Sequence, residues 1–410
     1  MTPRRPELDV IRLIVVLGLV FFHAALVFDA RDDFYVKNAQ TTEAITWLAG
    51  LAVVWAMPSL FLIAGFGSWH SMRRRGVRGF AGERLLRLGV PLLFATVALL
   101  PLPQWLRLKA ADPGYAESYP RFLTRFFDVH LSFADFPFLV RGEHFESGHL
   151  WFVVLLLAFS LLLSLPAAAL PARHAARARD LIAATVAHRG ALLVLPAVPV
   201  AVVGALHGME EPFAGWSRWA YLLFFLYGFA LAADDRIRAA MRREARAAAV
   251  AGVLLFGAAG AALSTAEGEP FTDMTGHAVL ARVLFSLAGW CWVVAILGLL
   301  DRPRPERAGP PGRDRRIYGY LAAAALPLYI LHQPVVVTVA YVVVRLRAPI
   351  AVKYPIIVVV SFLIMFVLYD LAVRRTRVTR LLFGMRAGDA RTREEVDGRP
   401  FPSSDSETRI

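Results

Sequence analysis

The chain has 410 residues, 57% of them hydrophobic, with a mean hydropathy of +0.53 and a formal net charge of +13. So apolar a composition points to a polytopic membrane bundle, and a basic excess with no recognition module argues against nucleic-acid binding. The single cysteine, Cys291, excludes an internal disulfide and any multi-cysteine zinc site.

The first predicted element runs from Asp9 to Phe28, and the sixteen residues between Arg12 and Asp29 carry one ionisable side chain, His23. A run of about 17–25 apolar residues is what a helix needs to cross a bilayer. Helical geometry puts Arg12, Val16, Leu19 and His23 on one face, with Arg12 and His23 about 16 Å apart along the axis. Asp9, three residues before Arg12, is within reach of an ion pair on that face. A charged or titratable side chain in a span is costly in lipid, so this face is expected to point into protein or a water-filled cavity. Its basic start would suit a cleaved signal peptide. His23 interrupts the apolar region, however, and no small-x-small site follows, so the segment is expected to stay.

Further apolar runs follow at 47–69, 85–103, 149–168, 190–206, 217–233, 247–264, 278–300, 317–344 and 349–373, for a total of ten expected spans. The run 190–206 is short and broken by Pro196 and Pro199. The run 247–264 is rich in Ala and Gly, which permits close helix packing. Arginines concentrate in alternate loops: Arg73 to Arg78, Arg173 to Arg189, Arg236 to Arg246 and Arg302 to Arg316. The acidic loops lie between, with Asp29, Asp32, Asp33 and Glu43, then Glu210 and Glu211, then Glu267, Glu269 and Asp273. By the positive-inside rule both termini are expected in the cytoplasm; the loop with Arg345, Arg347 and Lys353 is the one exception.

The domain reading is therefore 1–10 as a cytoplasmic N-terminus, 11–373 as an all-α ten-span membrane domain, and 374–410 as a cytoplasmic, largely disordered tail. The tail is polar and turn-rich from Gly388 onward. The outward loop 104–148 is far longer than a connector needs to be, and its phenylalanines argue for a folded cover over the bundle mouth.

Four local patterns carry the candidate chemistry. The first is Leu8-Asp9-x-x-Arg12 followed, after ten residues, by His23. The second is Arg84-Leu-Leu-Arg87-Leu-Gly-Val-Pro91, opening the third span. The third is His149-Leu-Trp151-Phe152, at the outer end of the fourth. The fourth is Leu328-Tyr329-Ile330-Leu331-His332-Gln333-Pro334, late in the chain. Counted from the inner ends of their helices, His23 lies about 20 Å up and His332 about 22 Å up, so the two share a depth.

Each residue has a bland reading beside the functional one. His23 and His332 are either helix-packing histidines or general bases, since imidazole titrates near neutrality. Arg12 either snorkels to headgroups or binds a phosphate-bearing ligand; Arg84 and Arg87 either anchor a span or attract such a polyanion. Trp151 reads as an interface belt residue, and His149 as either solvated or part of an outward-opening site. Glu143, His144 and Glu146 lack metal-ligand spacing and read as polar loop, as does the pair His130 and Asp135.

Together the four patterns resemble the acyltransferase 3 family of integral membrane O-acyltransferases over residues 7–373. The resemblance implies a membrane enzyme that takes an acyl group, acetyl above all, from a cytoplasmic acyl-CoA to a hydroxyl on an extracytoplasmic saccharide. It implies His23 and His332 as catalytic residues, Arg12, Arg84 and Arg87 on the donor side, and Asp9, His149 and Trp151 in acceptor-side or structural roles. No permanently bound cofactor or metal is expected; lipid, acyl-CoA and the glycan are the expected partners, in a multi-pass inner or plasma membrane setting. The rival reading is a proton-coupled transporter or lipid-linked sugar flippase, which the proline-broken spans and buried histidines also suit. No inverted repeat or mid-span carboxylate supports it.

Overall fold

The computed structural model describes residues 6–266, 268–301 and 313–385. Glu267, Arg302, Arg304, Arg307, the side chains of Arg313, Arg315 and Arg316, and the stretch from Gly388 lie outside what is described, as does the start of the chain to Arg5.

Helix α1 (Pro6–Leu26) is followed by α2 (Glu43–Val53) and α3 (Ala56–Arg84). A π turn (Leu85–Gly89) leads into α4 (Val90–Ala98) and α5 (Pro101–Ala111). Then come α6 (Tyr119–Phe126) and a two-stranded antiparallel hairpin, β1 (His130–Leu131) with β2 (Val140–Arg141). A short 3-10 turn (Gly148–Leu150) opens α7 (Trp151–Ala169). After α8 (Ala172–Ala187), α9 (Ala191–Val194) and α10 (Ala197–His207) come α11 (Arg218–Ala233), α12 (Asp235–Thr265) and α13 (Gly276–Leu300). Helices α14 (Arg313–Val343), α15 (Ile350–Leu368) and α16 (Arg377–Leu382) complete the order.

Among the described residues seven segments are long and apolar enough to cross a membrane, or eight if the bent pair α8 and α9–α10 is one span. Ten apolar runs yield this lower count for three physical reasons. Runs 47–69 and 85–103 fall inside one stretch counted once, Glu43–Ala111, which at 69 residues is long enough to cross more than once and is kinked at Gly76 by a left-handed φ of 70°. The run 217–233 is the 16-residue α11, about 24 Å long against a hydrocarbon core of about 30 Å. The run 190–206 is split at Leu195 and Pro196 between α9 and α10.

Helix α14 is the most enclosed of the candidate spans and lies against α1 and α15. Helix α3 crosses α11 at glycines. A β-carbon on Gly65 would stand 1.9 Å from the Phe225 carbonyl oxygen, and one on Gly228 would stand 1.8 Å from that of Leu62. The Ala- and Gly-rich α12 packs along α13, where Gly298 meets the Met241 carbonyl.

The segment between α5 and α7 is folded. Phe122 and Phe126 are fully buried, and Arg218 at the start of α11 donates to the carbonyls of Asp135 and Phe136. Its hairpin is a small departure from an all-α reading. Asp135 is held by Ser132 and Arg141, so the His130–Asp135 spacing belongs to this loop. Part of the expected tail is also folded: α16 follows the last span, and the Gly384 carbonyl accepts a bond from Arg87 Nε at 3.2 Å. Part of the exception to the charge alternation is accounted for inside the fold. Lys353 is buried and donates to Asn38 Oδ1 at 2.8 Å and the Val344 carbonyl at 2.9 Å.

Candidate functional site

His332 is the centre of the site. Its ring centroid lies 5.0 Å from that of His23 on α1 and 4.9 Å from that of His149 on the 3-10 turn. His23 also stacks on Phe34 at 5.6 Å, with Phe22 edge-on at 5.3 Å. Three histidines from three distant stretches thus meet at one depth.

Pro334 explains how His149 is held. A proline inside a helix removes the N–H that would bond the carbonyl four residues back and pushes that carbonyl off the axis. The carbonyl freed by Pro334 is that of Ile330, and His149 Nε2–H donates to it at 2.9 Å. A carbonyl only accepts, so Nε2 carries the proton and Nδ1 presents a lone pair. The Tyr329 hydroxyl donates back to the His149 carbonyl, tying the turn to α14 a second time. His332 Nδ1 donates to the Tyr329 carbonyl, which by the same logic leaves Nε2 as an open acceptor. His23 Nδ1, His149 Nδ1 and His332 Nε2 are all buried with no hydrogen-bond partner. An oxygen bearing a proton, delivered among them, meets imidazole lone pairs at His149 Nδ1 and His332 Nε2, whose tautomers these bonds fix.

Gly148 makes the approach of His149 to α14 feasible. It has a left-handed φ of 45°, and a β-carbon there would lie 3.1 Å from Leu100, 3.2 Å from the Tyr35 hydroxyl and 3.8 Å from Gln333 Nε2. Trp151, two residues past His149, is not a belt residue. It is buried, stacked on Tyr221 at 5.3 Å and near Phe61 and Phe213, so it anchors the start of α7 in the core. His149 is likewise buried rather than solvated.

The donor-side candidates sit apart from the histidines. Arg12 pairs with Asp9 at 2.9 Å, about 16 Å along α1 from His23. Arg84 reaches Ser68 at 3.3 Å and lies over the Phe80 ring, while Arg87 pairs with Glu83 at 3.2 Å. Glu83, which no motif singled out, organises both arginines.

On the loop side, Tyr35 donates to Glu146, and Arg107 approaches the same carboxylate at 4.0 Å. Burial, helped by Asp33, pushes the Glu146 carboxyl up to about 7; burial likewise raises Asp32 to about 6, against the pull of Lys37. Glu143 and His144 turn instead to Arg125, so the Glu143–His144–Glu146 set is divided. Among the described residues no group of three or more ligand side chains is disposed to hold a metal ion. Sequence reading missed Phe34, Tyr35 and the Ile330 carbonyl; the missing N–H of Pro334 was the available signal for the last.

Comparison with known proteins gives a consistent family. The profile described as "Acyltransferase domain" matches residues 5–370. Glucans biosynthesis protein C of Escherichia coli O6:K15:H31 (strain 536 / UPEC) is 29% identical over 155 residues, covering 38% of this chain and 37% of the relative. The same-named protein of Escherichia coli strain K12 is 28% identical over the same length and shares. The alignment thus spans little more than a third of these relatives, and no solved structure matches. With the family profile covering nearly the whole chain and several apolar helices fit to cross a bilayer, the chain is a multi-pass membrane protein that belongs to the acyltransferase 3 family of O-acyltransferases.

Proposed function

We propose that the chain moves an acyl group, acetyl in the first instance, from a cytoplasmic acyl-CoA to a hydroxyl of an extracytoplasmic saccharide. The observation that carries this reading is the cluster of His23, His149 and His332, with three unpaired imidazole nitrogens in one buried place. In the proposed step the acceptor oxygen attacks the thioester carbonyl while an imidazole takes its proton. The carbon–sulfur bond then breaks, and the proton passes to the leaving thiolate, giving an ester and free coenzyme A. His332 and His23 flank the reacting oxygen, and His149 orients it.

Arg12, Arg84 and Arg87 supply the cationic donor side, since forked guanidinium groups suit phosphates. An even number of crossings, with both termini in the cytoplasm of an inner-membrane setting, fits the alternating arginine loops. In that orientation the segment between α5 and α7 covers the outer mouth. A glucan is the first acceptor to try, because the similar proteins carry the name glucans biosynthesis protein C.

Membranes containing the protein are incubated with acetyl-CoA labelled in the acetyl group. Label appearing on an alkali-labile ester of the glycan supports transfer. Glycan crossing the membrane without label supports a transporter instead and ends this reading.

A further inference from the structure

A cleft of about 380 Å³ opens between the 29–42 segment, the end of α5 and the end of α14. Its size falls in the range of small-molecule sites. The 34–37 segment links it to the histidines: Phe34 stacks on His23, and Val36 and Lys37 line the cleft. On α14 its wall is Tyr341, nine residues or about 14 Å beyond His332.

The charges of the lining are unbalanced. Lys109 lies over the Trp105 ring at 4.9 Å and 3.4 Å from the Tyr115 carbonyl. Arg345 stacks on Tyr341 at 4.0 Å, and among the described residues it has no carboxylate partner. The lining carboxylate, Asp112, is turned into its own turn, accepting the Gly114 N–H at 2.7 Å. Lys37 is also engaged, donating to the Leu26 carbonyl at 3.0 Å and to that of Asp29. Two cations therefore face the cleft with two tyrosines beside them, and cleft walls of one sign concentrate the opposite charge. Arg345 also belongs to the loop that defies the charge alternation. Lys353 of that loop is accounted for by internal bonds, whereas Arg345 is left facing an opening.

We propose that this cleft is a subsite for an acidic saccharide, holding a carboxylate-bearing or phosphate-bearing unit of the acceptor between Lys109 and Arg345 while a unit about 14 Å along the same chain reaches His332. The proposal rests on the reading of the acceptor as an extracytoplasmic glycan. The tyrosines offer ring surface to a sugar, Tyr115 giving its hydroxyl to Glu117, and the cations offer charge-assisted bonds to its acid group.

The test is binding, without acyl donor, to the full chain in nanodiscs of zwitterionic lipid. The probes are a galacturonate hexamer and a neutral glucose hexamer. The acidic hexamer is expected to bind at least about tenfold more tightly at low salt, with the advantage shrinking toward about 0.5 M salt. Arg345→Gln and Lys109→Gln are each expected to remove about threefold to tenfold of that preference, leaving the neutral hexamer and the melting temperature unchanged. Equal binding of the two hexamers, or a full preference in the double variant, overturns the proposal. So does displacement of the acidic hexamer when phosphatidylglycerol is added to the nanodiscs, because the cleft then takes a lipid headgroup. Absence of the preference in the parent protein, with intact transfer to a neutral glycan, counts against the subsite alone; preferential binding of the acidic hexamer with no transfer counts against the enzymatic reading alone.

Discussion

Pro334→Ala separates a packing role from a positioning role, because stability and turnover should move apart. Alanine restores an N–H to bond the Ile330 carbonyl, a gain of about 0.5–1.5 kcal/mol, and relieves the ring clash that makes an interior proline cost about 3 kcal/mol. The same change turns that carbonyl back along the helix and withdraws the acceptor of His149 Nε2, now 2.9 Å away. A buried donor left unsatisfied costs about 1–3 kcal/mol, so net stability should rise by about 0.5–3.5 kcal/mol. Turnover should fall by about 100-fold, the typical result of misplacing a site group by about 1 Å. Melting can be followed with a thiol-reactive dye, since the one cysteine, Cys291, is buried until the bundle opens. Pro327→Ala is the control, because it alters α14 at Ala323, which makes no bond to His149. If Pro334→Ala keeps full turnover, or loses it only in step with melting, Ile330 does not position His149.

Gly65→Ala should destabilise the α3–α11 crossing by about 1–3 kcal/mol or more, because its β-carbon must move from 1.9 Å to ordinary contact near 3.4 Å from a backbone oxygen. Gly67→Ala on the same helix, with nothing within 4 Å, should be neutral or stabilising in the same dye assay. Glu146→Gln should flatten the pH dependence of melting. Folding favours the protonated carboxyl, so that contribution is full below about pH 4.5 and is lost as pH rises through about 7. The side chain keeps 34% of its surface exposed, so screening reduces the gain of the Gln variant at pH 8.5 to about 1–2 kcal/mol, with none at pH 4. A parallel pH profile for the two proteins would contradict this.

The two intramembrane histidines were legible because helix rise is regular: a shared depth of about 20 Å, read from Val10 and Ile317, becomes a ring separation of 5.0 Å. The Asp9–Arg12 pair was legible for the same reason, being three residues apart. What escaped the sequence joins segments far apart in the chain. The bond from His149 to Ile330 spans 181 positions, and that from Lys353 to Asn38 spans 315. No periodicity encodes which glycine meets which carbonyl, so the Gly65–Gly228 crossing was equally hidden. Hydropathy counted apolar runs but not where backbones break, which is why ten runs correspond to seven or eight candidate spans. The belt reading of Trp151 fails because an aromatic residue near a span end looks the same in sequence whether it faces headgroups or, as here, Tyr221; its structural role stands.

The central claim is that an imidazole of the His23–His332 pair takes the acceptor's proton. The direct measurement is single-turnover transfer from labelled acetyl-CoA to the glycan by His23→Gln and His332→Gln proteins, with donor affinity measured alongside. Glutamine keeps a hydrogen-bonding side chain without a titratable base. At least one variant should lose about 10²–10⁴ in rate while binding donor and melting as the parent does. Full rates in both variants from about pH 6 to about pH 8, where an unperturbed imidazole titrates, would show that neither histidine is the base.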